Sequence, residues 1–119
     1  MRRLLHGDCR GADRLAEEWA TGAGIQPVRY PAVGEPPRCY HARNAAMAED
    51  CGRAVLCALW PKEGAMAVLD DRHDDNRGTR AMMRELEKRC KPYRLYAVDE
   101  RARRIYLVKA SKGMKVEVM

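Results

Sequence analysis

The 119-residue sequence contains no long hydrophobic run, and its longest uncharged apolar stretch is Ala54–Pro61. A membrane-spanning helix needs about 20 apolar residues, and no basic segment followed by an apolar one stands at the start, so we expect neither a membrane span nor a signal peptide. The five cysteines form no CxxC pair and are odd in number, which argues against a disulfide framework and against a zinc site. These absences predict a soluble, cytoplasmic protein with no membrane partner.

Patterns typical of catalysis and metal binding are equally sparse. We recognise no Ser-His-Asp or Cys-His arrangement of the kind that activates a nucleophile. The stretch Asp70–Asp75 holds four aspartates and His73, residue types that bind divalent cations, but a solvated acidic loop is the simpler interpretation. We therefore predict no metal and no cofactor.

Composition and charge describe one domain with an uneven surface. With 46% apolar and 34% charged residues, the chain is predicted to form a single globular domain over residues 1–119. The net charge is +6, but residues 1–60 carry 8 basic and 7 acidic side chains, whereas residues 61–119 carry 15 and 10. A basic second half indicates an anionic partner such as a nucleotide, a nucleic acid or an acidic protein. A solvated basic face explains the charge equally well.

The order of predicted elements indicates an α/β sheet with a mixed C-terminal edge. Apolar positions spaced three and four residues apart predict an amphipathic helix after Ala12, and the apolar run Ala54–Trp60 predicts a strand buried on both faces of a parallel sheet. We expect Thr79 to cap the third helix. In chain order the prediction is a strand at 2–6, a helix from 12, a strand at 25–30, a helix at 40–51, a strand at 54–60, a helix at 79–89 and a C-terminal meander at 94–98, 104–109 and 115–118.

Three segments combine glycines or basic residues with the start of a helix, where a phosphate can dock. A glycine turn lets the backbone approach an anion, and a helix N-terminus offers unpaired N–H groups at the positive end of its dipole. The segments are Gly7–Asp13, Arg77–Thr79 and the helix start that holds Arg43 and Asn44. Asp13 can cap its helix or accept a hydrogen bond from a ribose hydroxyl, and Arg43 can bind a phosphate or carboxylate in a bidentate manner. A strand-to-helix turn without a ligand is the alternative interpretation of the first segment.

The same segments resemble a known family. HGDCRGADRLAEEWA, YHARNAAMAEDCGRAVLCALW and NRGTRAMM, in this order and spacing, resemble the SLOG superfamily, named after the DNA-processing (Smf) proteins and the Lonely Guy enzymes, and most closely its small stand-alone bacterial and phage members. The resemblance covers residues 4–98. It implies a Rossmann-like three-layer α/β domain with a mostly parallel sheet. The C-terminal antiparallel hairpin at 99–119, predicted from the pattern of its strands, lies outside the resemblance. The resemblance also implies a nucleotide pocket formed by Gly7, Arg10, Gly11, Ala12, Asp13, Arg43, Asn44, Arg77, Gly78 and Thr79.

Two departures from the family pattern qualify what the resemblance implies. Lonely Guy enzymes release a base from a nucleoside monophosphate with an arginine, which matches Arg43, and a glutamate that here is replaced by Met82. Glycosidic cleavage calls for a carboxylate, so Glu85 is the nearest candidate acid and a phosphoribohydrolase is the alternative to simple binding. The strand and helix that usually open the family are also absent. We expect another strand, from this subunit or a neighbour, to take that place, and therefore predict a homodimer.

The favoured function is thus binding of a nucleotide or a nucleotide-derived ligand, NAD-derived or cyclic, as a sensor or sequestering module. The second alternative is single-stranded DNA binding by the basic C-terminal region, in which Tyr93, Tyr96 and Tyr106 would stack on bases. Trp60 and Tyr40 are candidates for stacking on the base of a small nucleotide.

Overall fold

Strands and helices alternate along the chain. The computed structural model describes residues 2–7, 12–72 and 76–111. Within these residues the elements are β1 Arg3–His6, α1 Ala12–Gly22, β2 Gln26–Arg29, α2 Arg38–Asp50, β3 Ala54–Leu59, a short 3-10 helix Ala65–Leu69, α3 Arg77–Lys88, β4 Tyr93–Asp99 and β5 Arg104–Ala110. The predicted α/β class is confirmed. None of the helices in these residues is long and apolar enough to cross a membrane.

The chain divides into two units between Cys51 and Gly52. The first unit holds a two-stranded parallel sheet in which β1 pairs with β2. Helix α1 packs on both strands and returns to β2 through a hydrogen bond from the Ile25 N–H to the Ala20 carbonyl at 2.8 Å. Ala20 on α1 and Ala48 on α2 are completely buried, so small side chains form the described core of this unit.

The second unit holds a three-stranded mixed sheet in the order β3-β4-β5. β3 and β4 pair in parallel, while β4 and β5 form an antiparallel hairpin with an irregularity between Leu95 and Tyr96. Tyr93, Leu95 and Ala97 on one face of β4 are fully buried together with Leu86 of α3. The amphipathic helix α3 therefore covers one face of this sheet.

Two expectations about the fold need correction, and a third remains a prediction. The strands form two sheets, of which one is parallel and one is mixed, so the Rossmann-like three-layer arrangement remains a prediction. β3 is not buried on both faces, because Val55 and Leu59 are 67% and 63% exposed; an apolar run does not distinguish a strand covered on one face from one covered on both. The N-cap of α3 is Asn76, and Thr79 is the third residue of the helix.

The C-terminal hairpin differs in its boundaries from the prediction. Its two strands are β4 and β5, which correspond to the predicted strands 94–98 and 104–109. The predicted third strand, 115–118, lies outside the described residues.

Candidate functional site

The first predicted motif lies where β1 ends and α1 begins. His6 and Gly7 are buried at the carboxyl end of β1, α1 starts at Ala12, and Asp13 stands in its first turn. Arg10 and Gly11, which the resemblance assigns to the pocket, lie outside the described residues. Asp13 lies at the N-terminus of α1, where the helix dipole favours negative charge such as its carboxylate.

Arg43 reaches the carboxyl end of β1 from α2. Its Nη1 donates a hydrogen bond to the Gly7 carbonyl at 3.1 Å, which joins residues 36 positions apart in sequence. A Cβ placed on Gly7 would lie 3.2 Å from the Arg43 Cζ and 3.2 Å from the Asp13 Oδ2. Because both distances are shorter than an ordinary carbon contact of about 3.5–4.0 Å, Gly7 is the residue that lets a guanidinium and a carboxylate come together here.

Tyr40, on the same helix, also lies close to Arg43. The Arg43 Cζ lies 5.4 Å from the centre of the Tyr40 ring, within the range of a cation–π contact. Tyr40 is 46% exposed, whereas Asn44, which follows Arg43 in the second motif, is buried. We call Gly7, Asp13, Arg43 and Asn44 the β1–α2 cluster.

The chemistry of the β1–α2 cluster suits an anionic, hydroxyl-bearing ligand. A guanidinium presents N–H donors in a fixed plane that matches a phosphate or a carboxylate. The Asp13 carboxylate accepts hydrogen bonds, as the hydroxyls of a sugar require, and the α1 N-terminus favours an anion. The cluster thus combines a phosphate-binding group with an acceptor for hydroxyl groups.

A second charged network in the first unit was not foreseen from the sequence. The Glu17 Oε1 lies 2.9 Å from the Arg29 Nε and 3.7 Å from the Nε2 of the buried His6. The hydrogen bond from Arg29 holds the pKa of Glu17 below its usual range, against the opposing effect of desolvation. A surface cavity of about 250 Å³ adjoins this network; it is lined by Arg14, Glu17, Glu18 and Arg29. None of the described residues that line it is a predicted site residue.

The third predicted motif forms the first turn of α3 in the second unit. Arg77 and Gly78 are exposed and Thr79 is half-buried. Asn76, in a left-handed conformation with φ of 65°, accepts a hydrogen bond from the Leu59 N–H at 2.9 Å and donates one to the Leu59 carbonyl at 3.0 Å. The side chain of Asn76 therefore fixes the start of α3 to the carboxyl end of β3.

Arg80 is the buried basic residue that sequence reasoning missed. It is only 2% exposed, and its Nη1 donates to the Val68 carbonyl at 3.1 Å. Its Nε lies 3.4 Å from the Asp71 Oδ1, which Arg84 also contacts. The helical spacing could have predicted its burial, because Arg80 stands three residues before Met83 on the inner face of α3. This side chain attaches the 3-10 helix and the following acidic turn to α3.

Glu85, the candidate acid of a hydrolase, lies two turns inside α3. It accepts a hydrogen bond from Arg89 at 2.7 Å and from Lys88 at 3.3 Å. The Arg89 contact is the main reason that the pKa of Glu85 lies below its usual range. Eight residues of helix separate Glu85 from Arg77, roughly 12 Å at 1.5 Å per residue. Glu85 is therefore an ionised partner of the C-terminal end of the helix.

Two of the tyrosines assigned to base stacking, Tyr93 and Tyr106, pack against other side chains. Tyr93 is fully buried, and its hydroxyl donates to the Glu87 Oε1 at 2.5 Å; burial is the main cause of its raised pKa. Tyr106 packs against Trp60 with ring centres 4.6 Å apart. In the part of the chain that the structure describes, no group of three or more His, Cys, Asp or Glu side chains is placed to hold a metal ion; His73, Asp74 and Asp75 lie outside it.

The predicted site residues thus fall into two sets. Gly7, Asp13, Arg43 and Asn44 belong to the first unit, and Arg77, Gly78 and Thr79 belong to the second. The structure brings the first two motifs together within one unit. Comparison with known proteins adds no further assignment: the chain matches no family model, and no curated protein or solved structure is similar enough to count as a match.

Proposed function

We propose that the first unit binds a phosphate-bearing nucleotide or nucleotide-derived ligand, NAD-derived or cyclic, at the β1–α2 cluster, and that the chain acts as a sensor or sequestering module of the SLOG type. The observation that carries this proposal is the contact between Arg43 and Gly7. These residues come from two separate motifs of the SLOG resemblance, and their contact forms a guanidinium–carboxylate cluster around a glycine. A helix-stabilising role alone would not require the guanidinium to reach the end of a strand.

Each residue of the cluster has a role in this proposal. Arg43 binds the phosphate, because charge-assisted contacts from arginine to phosphate are strong and can be bidentate. Asp13 accepts hydrogen bonds from the ribose hydroxyls. Gly7 leaves room for the guanidinium at the end of β1, and Asn44 reads the ribose.

The third motif is assigned to the same ligand by the resemblance. Arg77 is exposed at the start of α3, as a phosphate-binding arginine would be. The variant Arg77→Ala tests this assignment separately: a loss of nucleotide affinity would support it, and an unchanged affinity would contradict it.

The residues support binding of the nucleotide without its cleavage. Oxocarbenium-like transition states need a carboxylate near the sugar, and Glu85 is held in ion pairs along α3. The single-stranded DNA alternative loses Tyr93, whose ring is buried in the second unit.

The test is a thermal-shift and calorimetric screen of the full chain against AMP, ADP-ribose, NAD and cyclic di-AMP, because a ligand that binds the native state raises its apparent stability. We expect at least one of these nucleotides to bind the wild type and to bind Arg43→Ala at least tenfold more weakly. Arg38→Ala is the matched control, since Arg38 is exposed on the same helix, and it should bind normally. Equal affinities of Arg43→Ala and the wild type, or no binding by any of the four compounds, would contradict the proposal. Release of free base from AMP would show that the chain is a hydrolase instead.

A further inference from the structure

We propose that the open edge of β3 pairs, antiparallel, with β3 of a second copy of this chain, so that two three-stranded sheets form one six-stranded sheet. This inference is independent of the proposed function. It concerns the side of β3 opposite β4, where no strand among the described residues is paired.

Hydrogen bonding identifies which backbone groups face that edge. The N–H groups of Ala54 and Trp60 donate to Pro92 and Val98, and so point toward β4. The alternation of a strand then directs the N–H and C=O groups of Val55, Cys57 and Leu59 to the opposite edge. Leu59 confirms this, because both of its backbone groups bind the side chain of Asn76. The pairs of groups left for another strand are those of Val55 and Cys57.

The sequence of β3 lacks several of the features that protect natural edge strands. β3 has the sequence AVLCAL, without a charge, a proline or a bulge, all of which discourage pairing between chains. Val55 and Leu59 are largely exposed, and the same face continues across the sheet to Leu107 and Ile105 on β5, of which Ile105 is 69% exposed. An apolar and open edge of this kind is a template for strand addition.

A pair of β3 strands related by a two-fold axis brings together the outward-facing backbone groups of Val55 and Cys57. If the axis passes through Leu56, Val55 of one copy lies opposite Cys57 of the other, and each such pair exchanges two hydrogen bonds. The four bonds use the backbone groups of Val55 and Cys57 on both copies, and the Asn76 side chain ends the pairing at Leu59. No charged side chain of β3 meets its own copy, so the like-charge repulsion that disfavours many self-paired strands is absent. A partner selected by charge would find no complementary group on this strand.

The size and charge of the contact set its expected strength. Six residues at about 3.3 Å each give an edge about 20 Å long. Pairing along an edge this short buries less surface than a permanent interface does, so we expect a dimer that dissociates on dilution. Each chain carries a net charge of +6, and added salt should strengthen the dimer by screening the repulsion between copies.

The experiment is sedimentation velocity of the full chain over a range of concentrations, with two lysine variants. Val55→Lys places a charge at the centre of the paired edge and should remain monomeric at all concentrations. Ile105→Lys is the matched control, since Ile105 is equally exposed on the same face but on β5, and it should dimerise like the wild type. A wild-type chain that stays monomeric, or a dimer that Val55→Lys leaves intact, would overturn the proposal.

A cross-linking variant keeps the test valid if Val55→Lys does not fold. In a hydrogen-bonded antiparallel pair the Cα atoms lie about 5.5 Å apart, a spacing at which disulfides form. Val55→Cys should therefore give a covalent dimer under mild oxidation through Cys57 of the second copy, and the double variant Val55→Cys/Cys57→Ser should not. Failure of Val55→Cys to form this dimer, or its formation in the double variant, would contradict the pairing.

Discussion

Replacing Gly7 by alanine tests the geometry of the β1–α2 cluster. The added Cβ would lie 3.2 Å from the Arg43 Cζ, 3.2 Å from the Asp13 Oδ2 and 3.3 Å from the Arg43 Nε, against an ordinary contact of about 3.5–4.0 Å. Gly7 is not among the residues with positive φ, so alanine brings no backbone strain. The guanidinium and the carboxylate must instead move apart from Gly7 by a few tenths of an ångström.

The expected effect on stability is modest, and the effect on binding is larger. Overpacking costs about 1–3 kcal/mol. Alanine also lowers the conformational entropy of the unfolded chain, which stabilises the native state by about 0.4–1 kcal/mol. Gly7→Ala should therefore lower the free energy of unfolding by about 1 kcal/mol. A displaced guanidinium no longer meets the phosphate in the same geometry. We expect the nucleotide affinity to fall at least tenfold, which corresponds to about 1.4 kcal/mol.

Urea denaturation measures the stability and isothermal titration measures the affinity. Gly52→Ala is the matched control, because a Cβ at Gly52 meets nothing within 4 Å; it should leave the affinity unchanged and the stability unchanged or slightly raised. If Gly7→Ala bound the nucleotide as tightly as the wild type and unfolded with the same free energy as Gly52→Ala, the close packing around Gly7 would have no functional meaning and the reasoning would be refuted.

Three further predictions concern the second unit and are measured by urea denaturation. Asn76→Gly should lower the unfolding free energy by about 1–3 kcal/mol through the two lost bonds to Leu59, and Asn76→Ala by about 1–2 kcal/mol more because of its left-handed φ; equal losses would contradict this account. Arg80→Met should cost about 1–3 kcal/mol by leaving a buried carbonyl without its donor, and a neutral result would show that the guanidinium is dispensable. The hydrogen bond from Tyr93 holds the pKa of Glu87 below its usual value, so its stabilising contribution is complete above about pH 4.3 and is lost as the pH falls through the folded-state pKa. Glu87→Gln should therefore weaken the fall in stability between about pH 5 and pH 3, whereas an unchanged profile would assign that fall to other groups.

The sequence predicted the order of the elements well, for physical reasons that particular residues make clear. Leu15 and Trp19 belong to the apolar spacing that predicted α1, although both are more than 60% exposed in the structure. Periodicity therefore indicated the helix correctly without showing what covers its apolar face. For β3 the prediction was wrong for the same reason. An apolar run indicates that the side chains prefer burial, but not whether one face or both faces of the strand are covered.

The details that decide local geometry were beyond sequence patterns. Thr79 matched the usual preference at an N-cap, but Asn76 takes that position because it tolerates a left-handed φ and its amide pairs with a strand end. Arg80 was overlooked because arginine is seldom fully buried. The contact between Gly7 and Arg43 depends on tertiary structure, and only the family resemblance associated the two motifs in advance.

The most direct test of the central claim is chemical-shift mapping by NMR of the full chain titrated with AMP and ADP-ribose. Binding at the β1–α2 cluster predicts the largest and saturable changes at the backbone amides of Gly7, Asp13 and Asn44 and at the Arg43 side chain. Saturable changes confined to other residues, or an unchanged spectrum with both nucleotides, would contradict a nucleotide site at the end of β1.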